Sequence, residues 1–468
     1  MTTTSNYQTW PALPQALREV ATNKDADNYR QVRSNYSRIG HPELVIMAEN
    51  EQQVIETIKY AAQVRQVTQE RVPFSFRSGG HGLTRASVND GGIVLDISQL
   101  NKIEVIDPAK GLVSVQAGAK WGAVAKVLTP YNLMISSGNF GDTGVGGLAT
   151  SGGIGYFVRL HGLTIDHIKG ASLVTVDGTS KWVDEENEPE LFWAIRGGSS
   201  QVGLVTEFMF EAKKLEAPNV ADKLPIILQQ ANYQVENLAT FVEKWGQWLR
   251  SAPREMTSFL MISEDWRAGY AVSAMNVWAG ADQTRALPVL EEAMALDKVV
   301  QHHAALLPYP SIVPTPNGAH HGQQTLRIRN GLIDRADQRL GAAIADTLSH
   351  SGVAVIELRS LGGAVQDISA QQTAWPARHQ EAFVSAWLQP MGAVAETEAF
   401  QPIKELSTGV YGAYTSDLSS ENAALTWPAA TGEKLKRIAE TVDPEGLFDQ
   451  GLTIRNFTDK ISTKISRP

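Results

Sequence analysis

The sequence has no cysteine, which excludes disulfides, thiolate nucleophiles and zinc–thiolate centres. It has no run of about 18 apolar residues, so no membrane-spanning helix is expected. It has no block of Lys and Arg, and a net charge of -9 disfavours nucleic acid or an anionic membrane as the main partner. The first twenty residues, MTTTSNYQTWPALPQALREV, show neither a basic start nor an apolar stretch of the kind that directs secretion. A soluble, cytoplasmic protein is therefore expected. Internal repeats and low-complexity linkers are missing too.

What remains is the composition of a globular protein, 43% hydrophobic and 19% charged over 468 residues, with room for two or three domains. ELVIMA (43–48) reads as a strand, and Asn50 with Gln53 forms a capping box ahead of a helical apolar period. RVPFSF runs as a strand into RSGGHG, GGIVLDIS is a further strand, and IEVIDPAKGLVSVQAG is a hairpin turning at DPAKG. WGAVAKVL is a short helix, ASLVTVDGTSKWVD a hairpin with a DG turn, and VGLVTEFMFEA an alternating strand. Beyond residue 212 glycine thins. Helix-like runs (238–250, 283–296, 334–349) then alternate with strand-like runs (256–263, 269–278, 323–329, 353–361), a pattern that predicts an α+β unit with helices on one face of a sheet. A last helix, GEKLKRIAETV, is stopped by DPEG.

Two glycine-rich segments carry the chemistry. In RSGGHG, Gly79 and Gly80 permit backbone N–H groups to converge on a phosphate, with His81 beside them; a tight turn with a surface histidine is the plainer alternative. Residues 138–155 hold eight glycines, a density that predicts no helix or regular strand. Within them GVGGLA fits a loose dinucleotide fingerprint, with Asp166 about 20 residues on as a ribose ligand. Gly152, Gly153 and Gly155 spoil the helix that fingerprint needs, so a nicotinamide Rossmann site is not expected.

RSGGHG, GGIVLDISQLNKIEVID, GVGGLATSGGIGYFVRLHGLTIDHIKGASLVTVDG and ELFWAIRGGSSQVGLVTEF, in this order over residues 28–212, closely resemble the berberine-bridge-enzyme-like branch of the vanillyl-alcohol-oxidase flavoproteins. The resemblance resumes in IELRSLGGAV, VYGAYTSDL and KLKRIAETVDPEGLF. It implies a two-domain α+β fold of the vanillyl-alcohol-oxidase (PCMH) type. Residues 1–212 and 411–468 would form the FAD-binding domain, and residues 213–410 an antiparallel-sheet substrate domain. It also implies FAD bound covalently through His81, with Arg77, Ser78, Gly79, Gly80, Gly82, Thr143, Gly146, Gly147, Ser151, Gly153 and Val205 around the cofactor. Many relatives make a second link through a cysteine. Phe140 stands at that position, so a single link is expected, as in the 6-hydroxynicotine-oxidase-like members whose PARHR-type segment PARHQ (376–380) also resembles. Thr143 falls where relatives often carry the valine thought to control oxygen access, and its similar shape predicts an oxidase.

The same resemblance places Tyr414 on a catalytic tyrosine, with Ala413 and Ser416 replacing the family's asparagine and aspartate. A tyrosine with a pKa near 10 needs nearby positive charge to act as a base, and Arg359 is the expected source. Glu357 and Arg359 lie two apart on one strand and share a face; a sheet-bracing ion pair is the alternative. His302/His303 and His320/His321 lack a third ligand at metal spacing, and no metal is expected. PTPNGAHHGQQ (314–324) reads as a loop near the substrate entrance, and Trp375, Trp387 and Trp427 as candidate lining. The expected activity is hydride removal from a small alcohol, amine or natural-product intermediate of secondary metabolism, with O2 reoxidation to H2O2, in a monomer or homodimer. A same-fold dehydrogenase or oxidative cyclase, or a non-catalytic flavin carrier, is the alternative.

Overall fold

The computed structural model describes residues 9–215, 226–265, 269–315 and 320–457. The first eight residues, part of the PTPNGAHHGQQ loop and the tail beyond residue 457 lie outside them. Two larger sheets, with a two-stranded pair of Leu133–Met134 and Lys213–Lys214, make the N-terminal part. The first has Leu44–Met47, Ile93–Asp96 and Phe74–Arg77 running parallel, with Ala21–Asn23 antiparallel on the edge. The crossover between Leu44–Met47 and Phe74–Arg77 is the helix Glu51–Thr68. Asn50 caps it by accepting from the Gln53 N–H, while Gln53 reaches back to the Glu49 N–H, one residue earlier than a standard capping box. The second sheet is a five-stranded antiparallel one, in the order 103–107, 112–116, 204–211, 168–174, 180–183. Both expected hairpins are present in it.

One expectation fails. Val145–Ser151 is a short helix despite its glycines. Its first N–H groups are satisfied by the turn after strand 112–116, Val145 donating to Ala119 O (2.8 Å) and Gly146 to Ala117 O (2.8 Å). Tertiary contacts thus offset a propensity cost of about 1 kcal/mol per glycine. Gly152 (φ 137°) and Gly153 (φ 86°) then end the helix. No nucleotide fingerprint follows from it, because the strands on either side, Leu133–Met134 and Ile168–Val174, both pair antiparallel. Asp166 is held in a two-pronged pair with Arg378 (2.8 and 2.9 Å).

The remainder is an eight-stranded antiparallel sheet in the order 298–307, 226–235, 270–279, 256–264, 353–360, 382–388, 327–333, 407–409. Helices 238–251, 283–294, 338–349 and 393–404 cover one face, sharing a core with Leu260, Ile356 and Leu358. The other face, including Phe259, Val277 and Phe383, joins the core of the N-terminal sheets. Residues 423–457 pack into that same N-terminal core. No helix among the described residues is long and apolar enough to cross a membrane.

Arg159 ties the two cores together. It is buried, and it donates to Met256 O (2.6 Å) and to Leu249 O (2.7 Å), the latter in the last turn of helix 238–251, where a cation is favoured. Arg159→Ala leaves those carbonyls without a donor and is expected to cost about 2–4 kcal/mol, read as a lower urea midpoint. Two nearby histidines give a pH dependence. Burial holds His161 down at about 4 and lowers His167. Below pH about 6.5 the unfolded chain binds protons that the native chain refuses until about pH 4, so stability falls with pH across that window. His161→Leu is expected to flatten that slope in thermal melts between pH 4 and 6.5.

Candidate active site

A cleft of about 1680 Å³, its open mouth included, runs between the N-terminal sheets and the bare face of the large sheet. The turn after strand Phe74–Arg77 and the segment 138–151 form one wall. These two pieces touch backbone to backbone: a Cβ on Gly79 would lie 2.3 Å from Gly144 N, and one on Gly144 2.1 Å from Gly79 N. A Cβ on Gly147, by contrast, would meet nothing, because that glycine faces the open cleft. The N–H groups of Gly79, Gly80, His81 and Gly82 have no acceptor among the described residues. Such a row of free donors beside glycines suits a diphosphate.

Of the expected cofactor residues, Ser78, Gly79, Gly80, His81, Gly82, Thr143, Gly146, Gly147, Ser151 and Val205 line the cleft. Arg77 and Gly153 do not. Arg77 is buried against Asp96 (2.6 Å) and Ser34 O (3.1 Å), bracing the turn from behind. Gly153 donates to the Tyr411 hydroxyl (3.1 Å). Trp387 and Trp427 line the cleft, whereas Trp375 packs behind it on Tyr411.

His81 sits in an aromatic box that sequence reasoning missed. Its ring stacks on Tyr36 (4.3 Å, 10°), meets His320 edge-on (5.6 Å) and tilts against Phe140 (5.4 Å). Its Nε2 lies 3.5 Å from Asp142 Oδ1. Burial lowers the imidazole's affinity for a proton; Asp142 pulls the other way and Lys120 adds to the lowering. His320 is pushed down to about 4 by burial and by His81. The 320–324 loop is fastened over this end, Gly322 N–H donating to Asn35 O (2.9 Å) and Gln324 N–H to Tyr36 O (3.0 Å). His302 and His303 are exposed on the sheet's outermost strand, far along the sheet order from this site.

The opposite wall comes from the large sheet. Register sets it: Arg359 lies opposite Phe259 on one side and Phe383 on the other, and Glu357 lies opposite Ser385. Arg359 is accordingly sandwiched over both rings (5.0 and 5.4 Å), and Ser385 donates to Glu357 (3.2 Å). Arg359 pairs with Glu357 at 2.7 Å and donates to Ile154 O (3.2 Å) and to the Tyr414 hydroxyl (3.3 Å). Tyr414 in turn donates to Glu357 Oε2 (3.2 Å). Glu357 itself stands just behind the lining, with Arg359 and Tyr414 in front.

Arg359 is the positive charge beside Tyr414 and pulls the phenol's pKa down, but burial and Glu357 outweigh it. Burial opposes the guanidinium charge, yet Glu357 and Tyr414 outweigh burial and hold Arg359 firmly protonated. Its charge is matched by Glu357, so Tyr414 is not driven toward phenolate. Burial and the Glu357 charge instead push the phenol well above its ordinary value. The hydroxyl stands between the cleft and the Glu357 carboxylate.

Asn330 holds the turn that carries Tyr414. Its amide donates to Tyr411 O (3.1 Å) and Tyr414 O (2.8 Å), and its oxygen accepts from the Tyr411 N–H (2.8 Å). Ser416 is engaged with the adjacent strand, its hydroxyl accepting from the Ile328 N–H (3.0 Å). An asparagine from the strand thus supports the turn that carries Ala413.

Comparison with known proteins points to a flavin cofactor. A family profile described as an FAD binding domain matches residues 42–184. The chain is 25% identical over 450 residues to the FAD-linked oxidoreductase YgaK of Bacillus subtilis, covering 91% of this chain and 94% of that one. It is 27% identical to (R)-6-hydroxynicotine oxidase of Paenarthrobacter nicotinovorans, over 84% and 88% of the two chains. The chain is an FAD-linked oxidoreductase, and its fold is of the vanillyl-alcohol-oxidase type. Among solved structures of this fold, the glucooligosaccharide oxidase of Acremonium strictum, whose flavin is 6-S-cysteinyl, 8α-N1-histidyl FAD, superposes with a TM-score of 0.77 at 21% identity. That match covers 93% of this chain and 96% of the other.

Within this oxidoreductase, Asn330→Ala is expected to slow substrate-dependent flavin reduction at least tenfold while flavin content stays unchanged. Stopped-flow absorbance and the flavin-to-protein ratio check it.

Proposed function

We propose that this oxidoreductase is an oxidase of a small, uncharged alcohol, amine or natural-product intermediate, carrying its FAD on His81. One observation supports it above the others: a single cleft has the glycine turn and His81 on one wall and Arg359, Tyr414 and Trp387 on the facing one. The free N–H groups of residues 79–82 would hold the diphosphate, and the 138–151 segment would lie along the ring system. Bound FAD supplies a two-electron acceptor that takes a hydride and returns the electrons to dioxygen as hydrogen peroxide.

Tyr414 receives the substrate O–H or N–H proton and passes its own to Glu357 over the 3.2 Å hydrogen bond. Arg359 pairs with the carboxylate and orients the phenol. The ion pair is internally neutral and ringed by Phe259, Phe383 and Trp387, which favours a neutral, ring-bearing substrate over a charged one. Phe140 fills the flank of His81, so attachment is single. Thr143 lines the cleft with a shape close to valine, which supports oxygen access.

Tyr414→Phe is expected to cut flavin reduction by about 100-fold or more, without loss of flavin; a loss under about tenfold removes Tyr414 from the proton path. Acid precipitation of the holoprotein is expected to leave the yellow colour in the pellet, and His81→Ala to release it to the supernatant. Air-equilibrated turnover with a panel of hydroxylated and aminated ring compounds is expected to yield peroxide; slow reoxidation in air overturns the oxidase reading in favour of a dehydrogenase.

A further inference from the structure

Asp142 is the one acidic residue of the glycine segment, and it is buried with a 5% exposed surface. Among the described residues its Oδ1 has no hydrogen-bond partner, and neither does the buried Nε2 of His320. Both atoms point into the same small space. Asp142 Oδ1 lies 3.5 Å from His81 Nε2, within ion-pair reach but outside hydrogen-bond geometry, and Asp142 Oδ2 lies 4.0 Å from His320 Nε2. An unpaired buried carboxylate oxygen costs about 1–3 kcal/mol or more, a cost that a merely structural aspartate has no reason to carry. It becomes useful when its neighbour turns positive.

We propose that Asp142 is the positioning residue for attachment at His81: it takes the Nε2–H, leaves the Nδ1 lone pair as the nucleophile, and stabilises the cation that bonding at Nδ1 creates. The inference rests on the covalent reading above. Nδ1 forms a bond to the C8-methyl carbon and one methyl C–H bond breaks. Overall the methyl group gives up a hydride and the imidazole a proton, and dioxygen carries both away as hydrogen peroxide. During bonding the imidazole holds a positive charge with its Nε2 proton beside Asp142, as an aspartate steadies a histidine cation in other enzymes. The wall of the box opposes water: Tyr36 stacks on the ring and His320 closes the edge, so the carboxylate acts through little screening. The charged and titratable groups around His81 are Asp142, Lys120, His320 and Tyr36. Asp142 favours the protonated imidazole, while Lys120 disfavours it.

The test uses the full chain produced under riboflavin limitation and then mixed with FAD between pH 5 and 8. Covalent flavin is read by fluorescence of the denatured protein in a gel. Wild type is expected to incorporate flavin with an acid limb, since Nδ1 must be unprotonated. Asp142→Ala is expected to slow incorporation at least tenfold on the neutral plateau, while noncovalent FAD still binds and quenches. Asp142→Asn, which keeps an acceptor but loses the charge, is expected to fall between the two and to shift the acid limb to lower pH. A purely structural role would lower the plateau without moving that limb. Unchanged incorporation in both variants, or an unmoved acid limb in Asp142→Asn, overturns the proposal. Failure of wild type itself to retain flavin after denaturation overturns the covalent reading and the proposal with it; a His81→Ala control at background separates the two failures.

Discussion

The contact of Gly79 with Gly144 is the constraint on which the site depends. Two loops from different sheets meet there with no space for a single methyl group. The meeting fixes the His81 turn against the start of helix 145–151, and it leaves the free amides of 79–82 on the cleft side. A side chain at either glycine would part the two pieces, and the free donors of 79–82 would no longer share one surface with the glycine-lined floor. The backbone specifies this wall, and His81 is carried on it.

The facing wall is specified by register. In the large sheet, residues two apart on strand 353–360 share a face, and antiparallel pairing puts Phe259, Phe383 and Ser385 directly beside Arg359 and Glu357. The same strand sends Ile356 and Leu358 into the helix-covered core. A one-residue slip would exchange those sets and bury the charged pair under the helices. The hydrophobic half of the strand therefore sets the position of the charged half, and the ion pair is fully matched by internal partners.

Much of this was legible from residue order. Hairpins 103–116 and 168–183 and the alternating strand 204–211 followed from period-two patterning and their turns, and helices 51–68 and 429–442 from caps and stop signals. Strands 226–235, 298–307 and 382–388 were not read. AFVSAWL is apolar on both faces and so has no period, while 298–307 is an exposed edge without a hydrophobic stripe. The strand expected at 323–329 begins at Arg327, and Gly331 sits inside it because a Cβ there would strike Ser407. The helix 145–151 was hidden because its support comes from carbonyls in the turn after strand 112–116. At the site, the motif residues came from local sequence, whereas Asp142, His320, Tyr36 and Asn330 matter only through contacts between distant segments. An aspartate alone among glycines was the one local sign of any of them.

The roof over His81 has a consequence for how the protein is made. It is built from residues 34–36 and 320–324, fastened by two backbone hydrogen bonds. A nascent chain presents its glycine turn long before residue 324 leaves the ribosome, so the histidine end stays uncovered through most of synthesis. A molecule that reaches the cleft after folding is complete meets a loop already fastened over that end.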